Sequence, residues 1–206
     1  MEQIKNMKVL EQLGNNCYRI LIQNQQAQLD VISKRMVLAN KSYLQLRKWI
    51  EIQYHINHPN VQKLYFYCHD QEYVYVIREY MPKGSLLNWI KYGDIDEELL
   101  NSIANQLFSV QQYLNENQLY LDLQINNIFF DENNRIKISN LEDIEHKSKK
   151  INNIQQIGLI LYECIFKRKC RFDYVMQNDQ VIRQPRVLIT QEIKDSVLKL
   201  LQEYIK

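Results

Sequence analysis

The sequence predicts an α+β protein whose two lobes follow one another along the chain. Strand patterns fill the first third, helical patterns dominate the remainder, and one turn-forming run separates them. That run is Met81-Pro82-Lys83-Gly84-Ser85, a composition typical of a break between elements. We therefore predict a first lobe over residues 1–81 and a second lobe over residues 82–206.

The first lobe is predicted to hold strands and one helix. The strand candidates are apolar or alternate between apolar and polar residues, and Asn, Asp or Gln clusters bound each one. They lie at residues 17–23, 28–35, 61–69 and 72–79. A helix is predicted over residues 43–56, where apolar side chains recur at helical spacing until the Asn57-His58-Pro59-Asn60 run ends it.

The second lobe is predicted to be mostly helical. A short helix over residues 85–92 precedes a long one over residues 97–115, which carries an apolar face at helical spacing. Residues 128–130 and 135–139 flank the run Asp131-Glu132-Asn133-Asn134, which is typical of a hairpin turn. Helices over residues 153–166 and 191–204 are predicted to close the chain.

Composition and charge exclude several classes of protein. The 206 residues are 46% hydrophobic and 24% charged, and 26 basic against 24 acidic side chains leave a net charge of only +2, too small for nucleic-acid binding through bulk charge. Cys17, Cys68, Cys164 and Cys170 form no CxxC pair, which favours reduced thiols over disulfides or a zinc site. No signal peptide and no apolar run of membrane-spanning length is evident, so we expect a soluble cytoplasmic protein without membrane or nucleic-acid partners.

Several segments, in their order along the chain, resemble the protein kinase family. They are Val31-Ile32-Ser33-Lys34 on a predicted strand, His58-Pro59-Asn60 after the predicted helix, Glu79–Gly84 between the lobes, and Asp122-Leu123-Gln124-Ile125-Asn126-Asn127 before the hairpin. Residues 46–84 look closest to the Aurora kinases. The resemblance runs from about residue 10 to the C-terminus and implies a kinase-like bilobal fold, with an antiparallel sheet plus one helix and then a shortened helical lobe.

The resemblance assigns roles to individual positions. Lys34 matches the strand lysine that holds the α- and β-phosphates of ATP, Asp122 matches the catalytic aspartate, and Asn127 matches a magnesium ligand. Glu79 and Met81, between the lobes, are further candidates for nucleotide contact. We treat all of these as vestigial positions, because the surrounding pattern is incomplete.

The glycine loop and the helix glutamate depart from the family pattern. Only Gly14 remains of the loop, and the resemblance puts Asn16 and Arg19 at its other glycine positions, where side chains would obstruct a close approach to phosphate. Trp49 stands ten residues before Pro59, where the helix glutamate that pairs with the strand lysine is expected.

The metal-binding and substrate-binding segments depart as well. Asn140-Leu141-Glu142 replaces the DFG triplet, and Asn140 brings no charge to a magnesium ion. Tyr120-Leu121 replaces the family's His-Arg, and Gln124 replaces its lysine. Only 12 residues separate Asn140 from Asn153, too few for an activation segment, and the chain ends at the counterpart of the penultimate helix.

Bulky side chains are expected to fill the nucleotide cleft. Ile32 stands where the family has alanine, and Phe129 stands where it has leucine. Arg78 takes the gatekeeper position, and Trp49 should face it for a cation–π contact of about 0.5–2 kcal/mol. We therefore expect neither ATP nor magnesium to bind.

Plainer interpretations remain open at this point. Asp122 and Asn127 also suit a tight loop, Lys34 also suits a solvated strand position near Glu142 or Glu51, and Trp49 also suits an ordinary core. His55, His58 and the Cys68-His69 pair lack an evident further ligand, so we expect no metal. The basic runs at residues 147–150 and 167–169 form solvated faces or contact an acidic partner.

These departures favour a catalytically inactive kinase-like domain, a pseudokinase that acts as a protein-binding, scaffold or structural module. One alternative is a serine/threonine kinase with residual ATP-dependent phosphotransfer through Asp122, Asn127 and Lys34. Another is a structural subunit of a large, cytoskeletal assembly, in which the cleft has no role. The expected partner is a protein, and the expected location is the cytoplasm or its cytoskeleton.

Overall fold

The computed structural model describes residues 7–35, 43–93, 95–139, 141, 144–146, 154–166, 172–177 and 180–185. The predicted two-lobed α+β architecture is confirmed, with an antiparallel sheet and one helix in the first lobe and a mostly helical second lobe. The predicted helix at 191–204, both basic runs and Asn140 lie outside the described residues.

A five-stranded sheet forms the first lobe. Its order is β1-β2-β3-β5-β4, and all neighbouring strands are antiparallel. The strands are β1 (Lys8–Gly14), β2 (Cys17–Ile22), β3 (Gln25–Ser33), β4 (Leu64–His69) and β5 (Tyr73–Glu79), and helix α1 (Tyr43–His55) lies between β3 and β4 in sequence. The sequence pattern did not predict β1, because this edge strand is exposed along its whole length and shows no alternating burial.

Strand β3 has two chemically different faces. Ala27 and Leu29 are buried with Ile20 and Ile77 in a small apolar cluster on one side of the sheet. Because side chains alternate along a strand, Gln28, Asp30 and Ile32 lie on the opposite side. That side faces α1 and the second lobe, where Ile32 packs against the main core.

Capped helices organise the second lobe. Helix α2 (Leu86–Tyr92) begins after Ser85, whose Oγ accepts a hydrogen bond from the Asn88 amide at 3.3 Å. Helix α3 (Glu97–Glu116) begins after Asp96, whose carboxylate accepts from the Leu99 amide at 2.8 Å. Helix α4 (Ile154–Phe166) follows later in the chain.

Short strands complete the second lobe. The predicted hairpin is present as β7 (Ile128–Phe130) and β8 (Ile136–Ile138), preceded by a 3₁₀ helix (Ile125–Asn127). Strand β6 (Leu119–Tyr120) pairs with β9 (Glu145–His146), and β10 (Phe172–Gln177) pairs with β11 (Gln180–Pro185). The sequence pattern missed both pairs, and two-residue strands such as β6 and β9 are too short to show a period.

One apolar core extends through both lobes. It joins Trp49 and Val76 of the first lobe to Leu107, Phe130 and Leu161 of the second. The chain crosses between the lobes from the end of β5 at Glu79 to the start of α2 at Leu86. Within the described ranges, no helix combines the length and hydropathy needed to span a bilayer.

Candidate functional site

Polar side chains meet in the cleft between the first-lobe sheet and the β7–β8 hairpin. Gln28 and Asp30 come from β3, Arg78 comes from β5, Gln62 comes from the loop between α1 and β4, and Ser139 follows β8. Of these, Gln62, Arg78 and Ser139 are buried. Buried polar groups are costly unless they are paired, so their partners define the site.

Asp30 and Arg78 form an ion pair inside the cleft. Arg78 Nε lies 3.0 Å from Asp30 Oδ2, and the two side chains are 6% and 16% exposed respectively. The Nε–H is not aligned for a hydrogen bond, so the contact is electrostatic. The strand register explains the pairing, because Gln28 lies opposite Arg78 and Asp30 comes two residues later on the same face of β3.

Trp49 supports the same guanidinium from α1. The Arg78 Cζ lies 5.4 Å from the centroid of the Trp49 ring, so the contact expected between these residues is present. Trp49 also belongs to the main core and is 4% exposed. The residue is therefore both a core side chain and a neighbour of Arg78.

A chain of hydrogen bonds links β8 to this ion pair. Ser139 Oγ donates to Gln62 Oε1 at 2.7 Å, and Gln62 Nε2 donates to the Glu79 carbonyl at 2.8 Å. Gln62 Nε2 also lies 3.4 Å from Gln28 Oε1, and Gln28 Nε2 donates to Asp30 Oδ1 at 3.0 Å. Side chains of the protein itself thus cross the cleft from one lobe to the other.

Cys17 of β2 lies beside the Asp30 carboxylate. It is opposite Asp30 in the β2–β3 register. Burial, and then the charge and the hydrogen bond of Asp30, raise the pKa of the Cys17 thiol to about 12. At neutral pH the thiol is therefore protonated and donates to Asp30, rather than acting as a nucleophile.

Lys34 occupies a different place from the one its motif implies. Strand β3 ends at Ser33, and Lys34 Nζ donates to the Asp70 carbonyl at 2.5 Å, close to His69 Nδ1 at 3.5 Å. Its ammonium also lies 5.2 Å from the Tyr43 ring centroid. Lys34 therefore lies at the turn between β4 and β5. The charged side chain of β3 that faces the cleft is that of Asp30.

Asp122 is held by amide groups. Its carboxylate accepts hydrogen bonds from Gln124 Nε2 at 2.9 Å and from Gln156 Nε2 of α4. Gln156 Oε1 accepts from the Leu123 amide at 3.1 Å, so α4 fixes this loop at two points. Asn127 lies in the 3₁₀ helix, and its carbonyl accepts from the Ser139 amide at 2.7 Å.

The remaining predicted residues make several different contacts. The Glu79 carboxylate pairs with Lys137 Nζ of β8 at 2.8 Å, and Met81 is buried. Phe129 is half-buried in β7 and bridges to Ser85, whereas Ile32 lies opposite Val74 and packs on the core.

The β1–β2 turn leaves little room for a phosphate-binding loop. Gly14 pairs with Cys17, so only Asn15 and Asn16 connect the strands, and Asn16 has a φ of 58°. Arg19 comes after this turn. It lies inside β2, where its Nη2 binds Glu11 at 2.9 Å and its Cζ lies 5.7 Å from the Tyr80 ring centroid.

The histidines make structural contacts. His58 Nδ1 accepts from the Asn60 amide at 3.1 Å and its Nε2 lies 3.1 Å from Ser109 Oγ, while His55 Nδ1 bonds to the Glu51 carbonyl at 2.7 Å. Across the part of the chain that the structure describes, His, Cys, Asp and Glu side chains form no cluster of three that could hold a metal.

The sequence interpretation missed Gln28, Asp30 and Gln62. A signal for Asp30 was available, because a buried arginine at position 78 requires an acidic partner and alternation puts Asp30 on the inward face of β3. No comparable signal marked Gln62, because its place depends on how the loop after α1 packs against β8.

Comparison with known proteins identifies the family. The family model for the protein kinase domain matches residues 14–143. The chain belongs to the protein kinase family. Its sequence is similar to those of Aurora kinases, as the sequence motifs predicted.

The similar curated proteins are longer than this chain. Aurora kinase B of Danio rerio is 25% identical over an alignment that covers 84% of this chain and 64% of the relative. Aurora kinase B of Xenopus tropicalis is 33% identical over 46% of this chain and 27% of the relative, and the Aurora kinase of Saccharomyces cerevisiae is 30% identical over 54% and 31%. The chain thus spans less than two thirds of the length of these relatives.

Proposed function

We propose that this kinase-like domain is a pseudokinase that binds protein partners and does not transfer phosphate. The observation that carries the proposal is the buried Asp30–Arg78 pair against Trp49. In active protein kinases a β3 lysine pairs with a glutamate of the neighbouring helix and contacts the nucleotide phosphates. In this cleft the charged residue of β3 that faces inward is an acid, Asp30, and the cation is Arg78 of β5.

A carboxylate on β3 opposes nucleotide binding in two ways. Asp30 repels the negative charge of a triphosphate, whereas the family's lysine attracts it. The cation of Arg78 comes from β5 and is already paired with Asp30 at 3.0 Å. A nucleotide would have to separate that pair and leave Asp30 in a poorly solvated place, which is strongly unfavourable.

The catalytic and metal positions give a second line of support. The Asp122 carboxylate already accepts hydrogen bonds from Gln124 and Gln156, although a catalytic base must be open to the substrate hydroxyl. The amide of Asn140 supplies no charge for magnesium. We accordingly propose that the domain uses neither ATP nor a metal, and that it acts in the cytoplasm as a scaffold or structural module.

The test is a direct measurement of nucleotide binding and transfer. The full chain is titrated with Mg-ATP while its melting temperature is recorded, and it is incubated with labelled ATP and generic protein substrates. We expect no shift and no labelling, although a ligand at 100 times its Kd would add about 2.7 kcal/mol of stability. A clear upward shift, or labelling that disappears in Asp122→Asn, would establish residual kinase activity instead.

The partner-binding part of the proposal has its own test. Proteins labelled by proximity in cells are compared between the native chain and Asp122→Asn, with unfused labelling enzyme as the background control. A scaffold role predicts the same set of labelled partners for both chains, because under this proposal Asp122 has no catalytic role. Partners that depend on Asp122 would indicate that phosphotransfer underlies the association.

A further inference from the structure

Gln62 connects three walls of the cleft through a single carboxamide. Its side chain is 1% exposed. The Oε1 atom accepts from Ser139 Oγ of the second lobe at 2.7 Å, and the Nε2 atom donates to the Glu79 carbonyl between the lobes at 2.8 Å. The same Nε2 lies 3.4 Å from Gln28 Oε1 on β3. Each polar atom of this amide therefore has a partner.

The backbone holds this side chain in place. The Gln62 amide donates to the Ile138 carbonyl at 2.9 Å, and the Ile138 amide donates to the Asn60 carbonyl at 2.9 Å. These bonds join the loop after α1 to β8 on both sides of Val61. A side chain anchored in this way is preorganised, so it loses little entropy when it fills the cleft.

We propose that Gln62 is an internal ligand of the cleft. Its side-chain amide donates a hydrogen bond to the Glu79 carbonyl and thereby excludes an adenine base from that carbonyl. An adenine amino group and a glutamine amide present the same kind of N–H donor to a carbonyl oxygen. A base entering the cleft would displace this amide and leave it and the Ser139 hydroxyl buried without partners. The proposal deepens the proposed function and rests on it, because it takes this cleft to be the nucleotide cleft of the family.

Two separate groups then close the cleft at different ends. The Asp30–Arg78 pair acts against the phosphates, and Gln62 acts against the base, with Gln28 hydrogen-bonded between them. Changing Gln62 alone should therefore admit a base but not a triphosphate. Adenosine, which has no phosphate, is the probe that isolates the Gln62 end.

The experiment measures adenosine binding by the full chain and by matched variants. Gln62→Ala removes the amide and opens space, whereas Ser139→Ala removes one hydrogen bond but leaves the Gln62 amide on the Glu79 carbonyl. Gln112→Ala is the control for the substitution itself, because the Gln112 amide bonds to Glu116 on the exposed face of α3. We expect adenosine binding in Gln62→Ala only, with an upward melting shift of about 3 °C at ten times its Kd.

Two results would overturn the role of Gln62. One is a folded Gln62→Ala chain that binds no adenosine, and the other is adenosine binding by the native chain at the same affinity as the variant. If Gln62→Ala does not fold, hydrogen exchange of the Gln62 side-chain amide in the native, ¹⁵N-labelled chain decides. Slow exchange supports the internal-ligand role, and exchange as fast as that of the exposed Gln112 amide contradicts it.

These outcomes separate the two proposals. A native chain that binds neither Mg-ATP nor adenosine, together with a folded variant that binds no adenosine, removes the role of Gln62 and leaves the pseudokinase proposal standing. Labelling of a substrate by the native chain removes the pseudokinase proposal itself.

Discussion

Arg78 shows how a buried charge depends on its neighbours. The guanidinium has an acidic neighbour, Asp30, at 3.0 Å and an aromatic neighbour, Trp49, at 5.4 Å. Removing such a group from water costs several kcal/mol, which an ion pair and a ring face offset only together with good packing. The three residues should therefore respond to mutation as a unit.

The first prediction concerns the ion pair. Arg78→Met should lower the free energy of unfolding by about 3–5 kcal/mol, because it leaves Asp30 buried without a cation. The double variant Arg78→Met with Asp30→Asn should recover most of that loss, since no unpaired charge remains. Urea denaturation measures both, and Arg47→Met, which removes an exposed cation, is the control at about 0–1 kcal/mol. Losses that add in the double variant would contradict the pairing.

The second prediction concerns pH and His58. Burial, and secondly the charge of Lys137, lower the pKa of His58 from its ordinary value of 6.5, and its Nδ1 must stay unprotonated to accept from the Asn60 amide. Because the folded-state pKa is the lower one, this contribution to stability is complete above pH 6.5 and is lost as the pH falls through the folded-state pKa.

Denaturation curves between about pH 5 and 8 measure this effect. His58→Asn keeps a side-chain acceptor near the Asn60 amide but cannot take up a proton in this range. The variant should lose stability on acidification less steeply than the native chain. Equal slopes in the two proteins would show that His58 is not the group that titrates.

At the level of elements, α4 holds the loop that carries Asp122. Gln156 uses both ends of its amide, accepting from the Leu123 amide and donating to Asp122. The same loop leads into the 3₁₀ helix and β7. One glutamine on α4 thus fixes the approach to the β7–β8 hairpin.

The third prediction follows from this contact. Gln156→Leu should lower the free energy of unfolding by about 1–3 kcal/mol, because it leaves the Leu123 amide and the Asp122 carboxylate with fewer partners. Amide hydrogen exchange should accelerate at residues 121–127. Gln112→Leu on the exposed face of α3 provides the matched control, and an equal acceleration of exchange at residues 121–127 in that variant would mean that the effect is not specific to the Gln156 contact.

Local signals explain which elements the sequence predicted. The helix predicted at 43–56 is observed at Tyr43–His55, and the strand predicted at 72–79 is observed at Tyr73–Glu79, because period and end signals are local. Pairing between distant segments, as in β6 with β9, leaves no such signal.

The same distinction between local sequence signals and contacts of distant segments applies to the candidate site. The Trp49–Arg78 contact could be predicted because each position is fixed by a nearby landmark, Pro59 for one and the break between the lobes for the other. Asp30 and Gln62 could not be placed by motif matching, because the register of β3 and the packing of a loop decide which side chain points inward.

For the molecule as a whole, a common apolar core and polar contacts join the two lobes. The main apolar core contains residues of both lobes, and the Lys137–Glu79 ion pair joins β8 to the end of β5. The backbone bonds between Asn60, Gln62 and Ile138 add a direct link. Neither lobe can lose its structure without exposing apolar surface of the other.

The last prediction is that the lobes unfold together without any nucleotide. The chain has two tryptophans, Trp49 in α1 of the first lobe and Trp89 in α2 of the second. In Trp89→Phe, fluorescence reports on the first lobe alone, while far-UV circular dichroism is dominated by the helices of the second. Because the core is shared, both signals should change at the same urea concentration, and calorimetric and van't Hoff enthalpies should agree. Separate midpoints in the variant, together with two calorimetric transitions in the native chain, would show instead that the lobes are independent and that the polar chain across the cleft does not couple them.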